Sequence, residues 1–125
     1  MPYSIKHPTT TKLYGSLIRI AANCQIMTYE MVSDVVDLPS YRLPFSARLG
    51  SISTDSWNRH GVVLSALVVR KHEGTPSPEF FDFLKTLMSV PDDEGLRLIL
   101  WAELVRDVHK HYGHIMCNRF AVDLQ

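Results

Sequence analysis

The stretch GVVLSALVVRKHEGT, residues 61–75, decides how this chain folds. Positions 62–69 are apolar apart from Ser65. So continuous a run predicts a strand with both faces covered. Gly61 before it and Arg70-Lys71-His72-Glu73-Gly74-Thr75 after it are breaker and turn signals. A short return strand after the turn would complete a hairpin.

Upstream, LPFSARLGSIS (residues 43–53) leads a third helix. Pro44 suits a first helical position, and the helix is expected from there to about Asn58, with Phe45, Leu49 and Ile52 inward. Gly50 in its middle costs about 1 kcal/mol relative to Ala, which close packing or close approach to a ligand would offset. Before it, Thr28 caps a second helix that runs to about Leu38, with Met31, Val32, Val35 and Val36 as its buried stripe. Pro39 ends that helix. A first helix is expected over 11–24, because Leu13, Leu17, Ile20, Ala21 and Cys24 share one face. The Thr9-Thr10-Thr11 run supplies its cap.

Downstream, Ser77-Pro78-Glu79 starts a helix rich in phenylalanine: Phe80, Phe81, Phe83. Pro91-Asp92-Asp93-Glu94 starts the last one, whose apolar positions are Leu96, Ile99, Leu100, Leu104, Val105 and Val108, and Gly113 stops it. The fold class is therefore α+β, mainly helical, in a single domain, residues 1–125. A winged helix-turn-helix-like core of three helices and a central strand or short hairpin fills 11–75. A helical pair follows at 76–113 and a tail at 114–125.

The chain has 125 residues and 46% hydrophobic composition, enough for one domain with its own core. No run reaches the roughly 20 apolar residues of a membrane span, and the start, MPYSIKHPTTTK, has no apolar signal core. Two cysteines, Cys24 and Cys117, are too few for a disulfide framework. They read as free thiols, which makes a cytoplasmic location the expectation. Lys/Arg and Asp/Glu balance at 13 each, but residues 1–72 hold eight basic against four acidic groups, and 73–125 hold five against nine. A neutral total argues against a strongly basic nucleic-acid binder, while the asymmetry leaves a one-faced basic surface open.

With MTYEMVSDVVDLP, SARLG and VVLSALVVRKHEG in this order, the chain resembles the winged-helix domain of the O6-alkylguanine-DNA alkyltransferases and alkyltransferase-like proteins. The resemblance covers about residues 11–75. It is also similar to small uncharacterised bacterial and phage proteins that carry LSALVV.K..G.P..FF. The resemblance implies that Thr28-Tyr29 lies near a DNA backbone and that Gly50 matches the glycine of the family's ARAVG. Arg48 lies near the family's arginine that enters the duplex, but stands two residues before the glycine, not three. Ala66 occupies the place of the reactive cysteine, and Leu67 and Val68 replace the His-Arg pair after it. The alkyl-transfer reaction is therefore expected to be absent.

The candidate nucleic-acid-binding set is Tyr29, Arg42, Ser46, Arg48, Arg59, Arg70 and Lys71, of which Arg48 and the 70–71 turn would address phosphates together. Scattered surface charge is the alternative, and Glu30, Asp34, Asp37 and Asp55 dilute the field. His109, His111, His114 and Cys117 are metal-capable, with His111 and His114 at i, i+3, yet no zinc-ligand spacing completes them. Cys24 reads as buried and inert. Asp55, Glu73, Asp82 and Glu103 with Lys71 have no spacing diagnostic of a nuclease. No cofactor and no catalytic residue is expected. Two partners stay open. One is double-stranded DNA, bound by a non-catalytic or regulatory protein. The other is a protein partner or second copy, met by an inhibitor, immunity or accessory module through the acidic, Phe-rich half.

Overall fold

The computed structural model describes residues 8–37 and 48–113. Five helices and a two-residue parallel strand pair make a mainly helical α+β structure. The order is α1 (Pro8–Ala22), β1 (Met27–Thr28), α2 (Tyr29–Val36), α3 (Arg48–His60), a 3₁₀ turn (Leu64–Leu67), β2 (Val68–Val69), α4 (Pro78–Leu84) and α5 (Glu94–Tyr112).

α1 forms because Leu13, Leu17 and Ala21 recur on one face and bury completely. It begins at Pro8, so the threonine run lies inside the helix rather than capping it. Its end is a Schellman turn: Gln25 N–H donates to Ile20 O at 3.0 Å and Cys24 N–H to Ala21 O at 3.0 Å. Cys24 stands in the left-handed region, φ 56°, where glycine is the usual occupant. This corrects the expectation of a buried Cys24 on the helix face; the residue is past the helix and exposed.

α2 is capped by Thr28, whose Oγ1 accepts from Met31 N–H at 3.3 Å. Val32 and Val36 are buried, whereas Met31 faces out. Asp37, φ 57°, closes the helix in the left-handed conformation. The connection from α2 to α3, and with it the start expected at Pro44 and the inward Phe45, lies outside the described residues. α3 continues past Asn58 to His60, with Gly61 at φ 70° just beyond.

The strand expected over 62–69 is corrected. All eight residues are buried, as a doubly covered run should be, but 64–67 coil into a 3₁₀ turn and only 68–69 pair as a strand. The cause is a set of serine hydroxyls on α3. Ser56 Oγ accepts from Leu64 N–H at 3.3 Å and donates to Val62 O at 2.8 Å. Ser53 Oγ accepts from Ser65 N–H at 2.8 Å and bonds the Ser65 hydroxyl. Backbone groups that a sheet ladder would have satisfied are satisfied by side chains, so the run can be compact.

β2 pairs with β1 in parallel, Met27 opposite Val68 and Thr28 opposite Val69. The expected return strand is not present: residues 70–77 form a closed turn and irregular chain. In that turn Arg70 N–H donates to Thr75 O and Gly74 N–H to Arg70 O, both at 2.8 Å. α5 packs against α1 and the 3₁₀ turn, and Trp101 Nε1–H donates to Ala66 O at 2.8 Å. Phe80 and Leu84 of α4 complete the core with Leu104 and Val108 of α5.

Candidate functional site at the strand ends

The parallel register fixes what emerges at the carboxyl ends of β1 and β2. Thr28 faces Val69, so the next residues, Tyr29 and Arg70, leave the pair at the same end. Tyr29 Oη and Ser77 Oγ are 3.0 Å apart and share a hydrogen bond. Ser77 therefore ties α4 to α2 instead of capping its own helix, which has no side-chain cap bond. Burial pushes the Tyr29 phenol above its ordinary value; Glu79 adds to the rise, and the Ser77 bond and the Arg70 charge oppose it. The phenol is a fixed hydrogen-bonding group at neutral pH, not a base.

Arg70 is held in place by its own turn. Its guanidinium donates to Thr75 Oγ1 at 3.0 Å and more weakly to Thr75 O at 3.4 Å. Lys71, His72 and Glu73 are exposed on the turn beside it. Below the turn, Arg70 and Arg97 line one cleft of about 280 Å3, with Phe81, Pro76 and Glu94. Arg97 lies over the Phe81 ring, 5.6 Å from its centroid, and its Nε–H donates to Pro91 O at 2.6 Å.

Of the predicted nucleic-acid set, the structure brings Tyr29, Arg70 and Lys71 to this end. Arg59 belongs to a separate group: it pairs with Asp55 at 3.0 Å, and Asp55 also accepts from Tyr14 Oη at 2.9 Å. Burial and the Asp55 carboxylate push Tyr14 strongly upward, and burial raises Tyr112. Arg48 is half-buried at the start of α3, and Leu49, Gly50, Ser51, Ile52 and Ser53 after it are all buried. Five consecutive residues turn through more than a full helical circle. That part of α3 is thus enclosed on every side, and does not offer bases a free face. Arg42 and Ser46 lie outside the described residues.

The remaining candidates disperse. His111 sits against His60, ring centroids 4.8 Å apart, and His109 Nε2 is 2.8 Å from Gln25 O. His114 and Cys117 lie outside the described residues. Among the described residues no three His, Cys, Asp or Glu side chains gather as a metal site. Of the acidic residues weighed for a nuclease, Asp55 is occupied as above and Asp82 is 3.9 Å from Lys85. Cys24 is disulfide-bonded, and the sequence has one other cysteine, Cys117. The free-thiol expectation is corrected for Cys24, and Cys117 lies outside the described residues. Among the described residues no helix is long and apolar enough to cross a membrane. Phe80 and Phe81 are buried, and Phe83 packs half-buried against the core. Among the described residues the most exposed large apolar side chains are on α5, where Leu96 is 53% and Ile99 57% accessible, with Ile26 and Met31 exposed elsewhere.

Arg97 and Glu94 escaped the reading of the sequence. Both lie on α5, where Glu94 reads only as part of the acidic helix start, and nothing in their spacing relates them to Arg70. No family model, curated protein or solved structure matches this chain.

Proposed function

We propose that the chain is a non-catalytic nucleic-acid-binding or regulatory protein. It grips phosphates of double-stranded DNA with the strand-end surface rather than reading bases with α3. The observation that carries this is the shared exit of Tyr29 and Arg70 from the parallel pair, with exposed Lys71 alongside. Phosphate contact needs cations and hydroxyl donors at one edge and no particular base geometry. The order of α1, α2, α3 and β2 supports the winged-helix likeness, with the 70–75 turn in the place of the wing. Ala66, which the likeness puts in the place of the reactive cysteine, has no thiol to accept an alkyl group.

Anisotropy of a labelled duplex, titrated over a range of salt, tests this reading. Arg70→Ala and Lys71→Ala should each weaken binding and lower the salt slope by about one. Arg59→Ala should change little, because that charge is already paired with Asp55. A wild-type protein that fails to retain the duplex at low salt ends the proposal.

A second reading rests on the exposed Leu96 and Ile99. Apolar side chains so exposed on one helix suit a protein partner or a second copy, as an inhibitor or accessory subunit would need. Sedimentation of the wild type against Ile99→Glu distinguishes them: a mass that falls on substitution supports self-association.

A further inference from the structure

We propose that the cleft between the 70–75 turn and the start of α5 binds a small organic oxyanion, a carboxylate or phosphate monoester carried on a flat apolar body. This site shares Arg70 with the DNA reading, while Arg97, Glu94 and Phe81 have no part in that reading.

The charges come first. Two guanidinium groups line the cleft with one carboxylate, that of Glu94. Arg70 has only neutral partners, the hydroxyl and carbonyl of Thr75. Arg97 donates to the Pro91 carbonyl and makes a long ion pair, 3.8 Å, with the fully exposed carboxylate of Asp92, which does not line the cleft. Water screens that pair, so it compensates Arg97 only in part. Two under-compensated like charges on one concavity favour an anion between them.

Orientation comes second. Thr75 holds Arg70, while Pro91 and the Phe81 ring hold Arg97, so each fork is set before a ligand arrives. A guanidinium has five N–H donors, and the bonds above leave donors on both to meet an oxyanion. Apolar surface comes third. Phe81, Pro76 and Leu98 wall the same cleft. An inorganic anion would leave that wall unused, whereas a ring or short apolar body would cover it. Glu94 limits the excess charge to one and can accept an N–H or O–H of the ligand.

The probes are benzoate, phenyl phosphate, inorganic phosphate and benzyl alcohol, titrated into the whole chain and followed by amide chemical shifts. Benzoate or phenyl phosphate should saturate shifts around Thr75, Phe81 and Arg97 with a dissociation constant at or below about 1 mM. Whichever of the two binds tighter identifies the headgroup. Inorganic phosphate and benzyl alcohol should bind at least about tenfold more weakly. Arg97→Gln should weaken the better probe about tenfold. Glu94→Gln should tighten it by roughly threefold, so the site is tested even if the arginine variant unfolds. Failure of both aromatic anions to saturate, or equal binding of benzyl alcohol, overturns the proposal. Equal binding of inorganic phosphate overturns its apolar half. Duplex binding that survives in Arg97→Gln leaves the earlier reading intact whichever way this one falls.

Discussion

Removing one buried hydroxyl should show how much of this fold depends on α3 holding the segment that follows it. Ser56 is fully buried, and its Oγ serves two backbone groups of the segment after α3: it accepts from Leu64 N–H and donates to Val62 O, with Ser53 O of its own helix a second, longer acceptor at 3.2 Å. Ser56→Ala strips both of their partner. Val62 and Leu64 are themselves buried, so water does not replace the bonds. An orphaned buried donor or acceptor costs about 1–3 kcal/mol, so the pair costs about 2–6 kcal/mol. Alanine no longer has a hydroxyl to desolvate, which offsets about 1–2 kcal/mol. The net expectation is a destabilisation centred on about 2.5 kcal/mol, or roughly 10 °C or more in Tm. Urea denaturation followed by far-UV circular dichroism measures it, and the slope m should stay unchanged while the midpoint falls. Ser16→Ala is the control: that hydroxyl bonds only the Lys12 carbonyl near the surface, so its loss should cost less than about 0.5 kcal/mol. If Ser56→Ala unfolds within about 0.5 kcal/mol of the wild type, the clamp does not hold the turn and the account of residues 62–69 is wrong.

Three further outcomes follow from single contacts. Tyr14 and Tyr112 have phenols raised above the ordinary 10.0, so the unfolded chain loses those protons first. Stability should therefore be intact below about pH 10 and fall as pH rises beyond it, and Tyr14→Phe should flatten that fall in thermal melts at alkaline pH. Trp101→Phe removes the N–H that Ala66 O accepts, and chemical denaturation should show a loss of about 1–3 kcal/mol, most of it from the stranded carbonyl. Asp93→Ala removes the cap of α5, where Oδ1 accepts from Leu96 N–H at 2.9 Å; helix stability should drop by about 1 kcal/mol, and Asp93→Asn should restore most of it.

Helix starts were the most legible part of the chain. Thr28 and Asp93 cap the helices that follow them, and Ser77-Pro78 marks a helix start through Pro78 although the Ser77 hydroxyl goes to Tyr29 instead. Stops were legible where a residue could take a left-handed turn or end the ladder, as at Gly113, and illegible at Cys24 and Asp37, which take such turns without being glycine. The run 62–69 was legible as buried, not as strand. Its conformation depends on hydroxyls contributed from α3, and no local pattern announces such a partner. Phe80 and Phe81 are covered rather than exposed, so the Phe-rich composition alone does not mark a surface. Of the site, Tyr29 and Arg70 were legible one at a time, as a capped helix start and a basic turn. Their meeting was not, because a parallel pairing of two-residue strands leaves no alternation to read. Arg97 enters the same place from a third element, and its role is set by Phe81 and Pro91 rather than by its neighbours in sequence.

The hydroxyl clamp also has a consequence for the order in which this protein assembles. Ser56 reaches Val62 and Leu64 across separations of 6 and 8 residues, and Ser53 reaches Ser65 across 12. Closing such short loops costs little chain entropy, so α3 and the turn after it form a natural nucleus. The bond from Tyr29 to Ser77 spans 48 residues, and it can form only once the segment between is in place. The meeting of Tyr29 with Ser77 at the strand ends is thus expected to be a late product of folding.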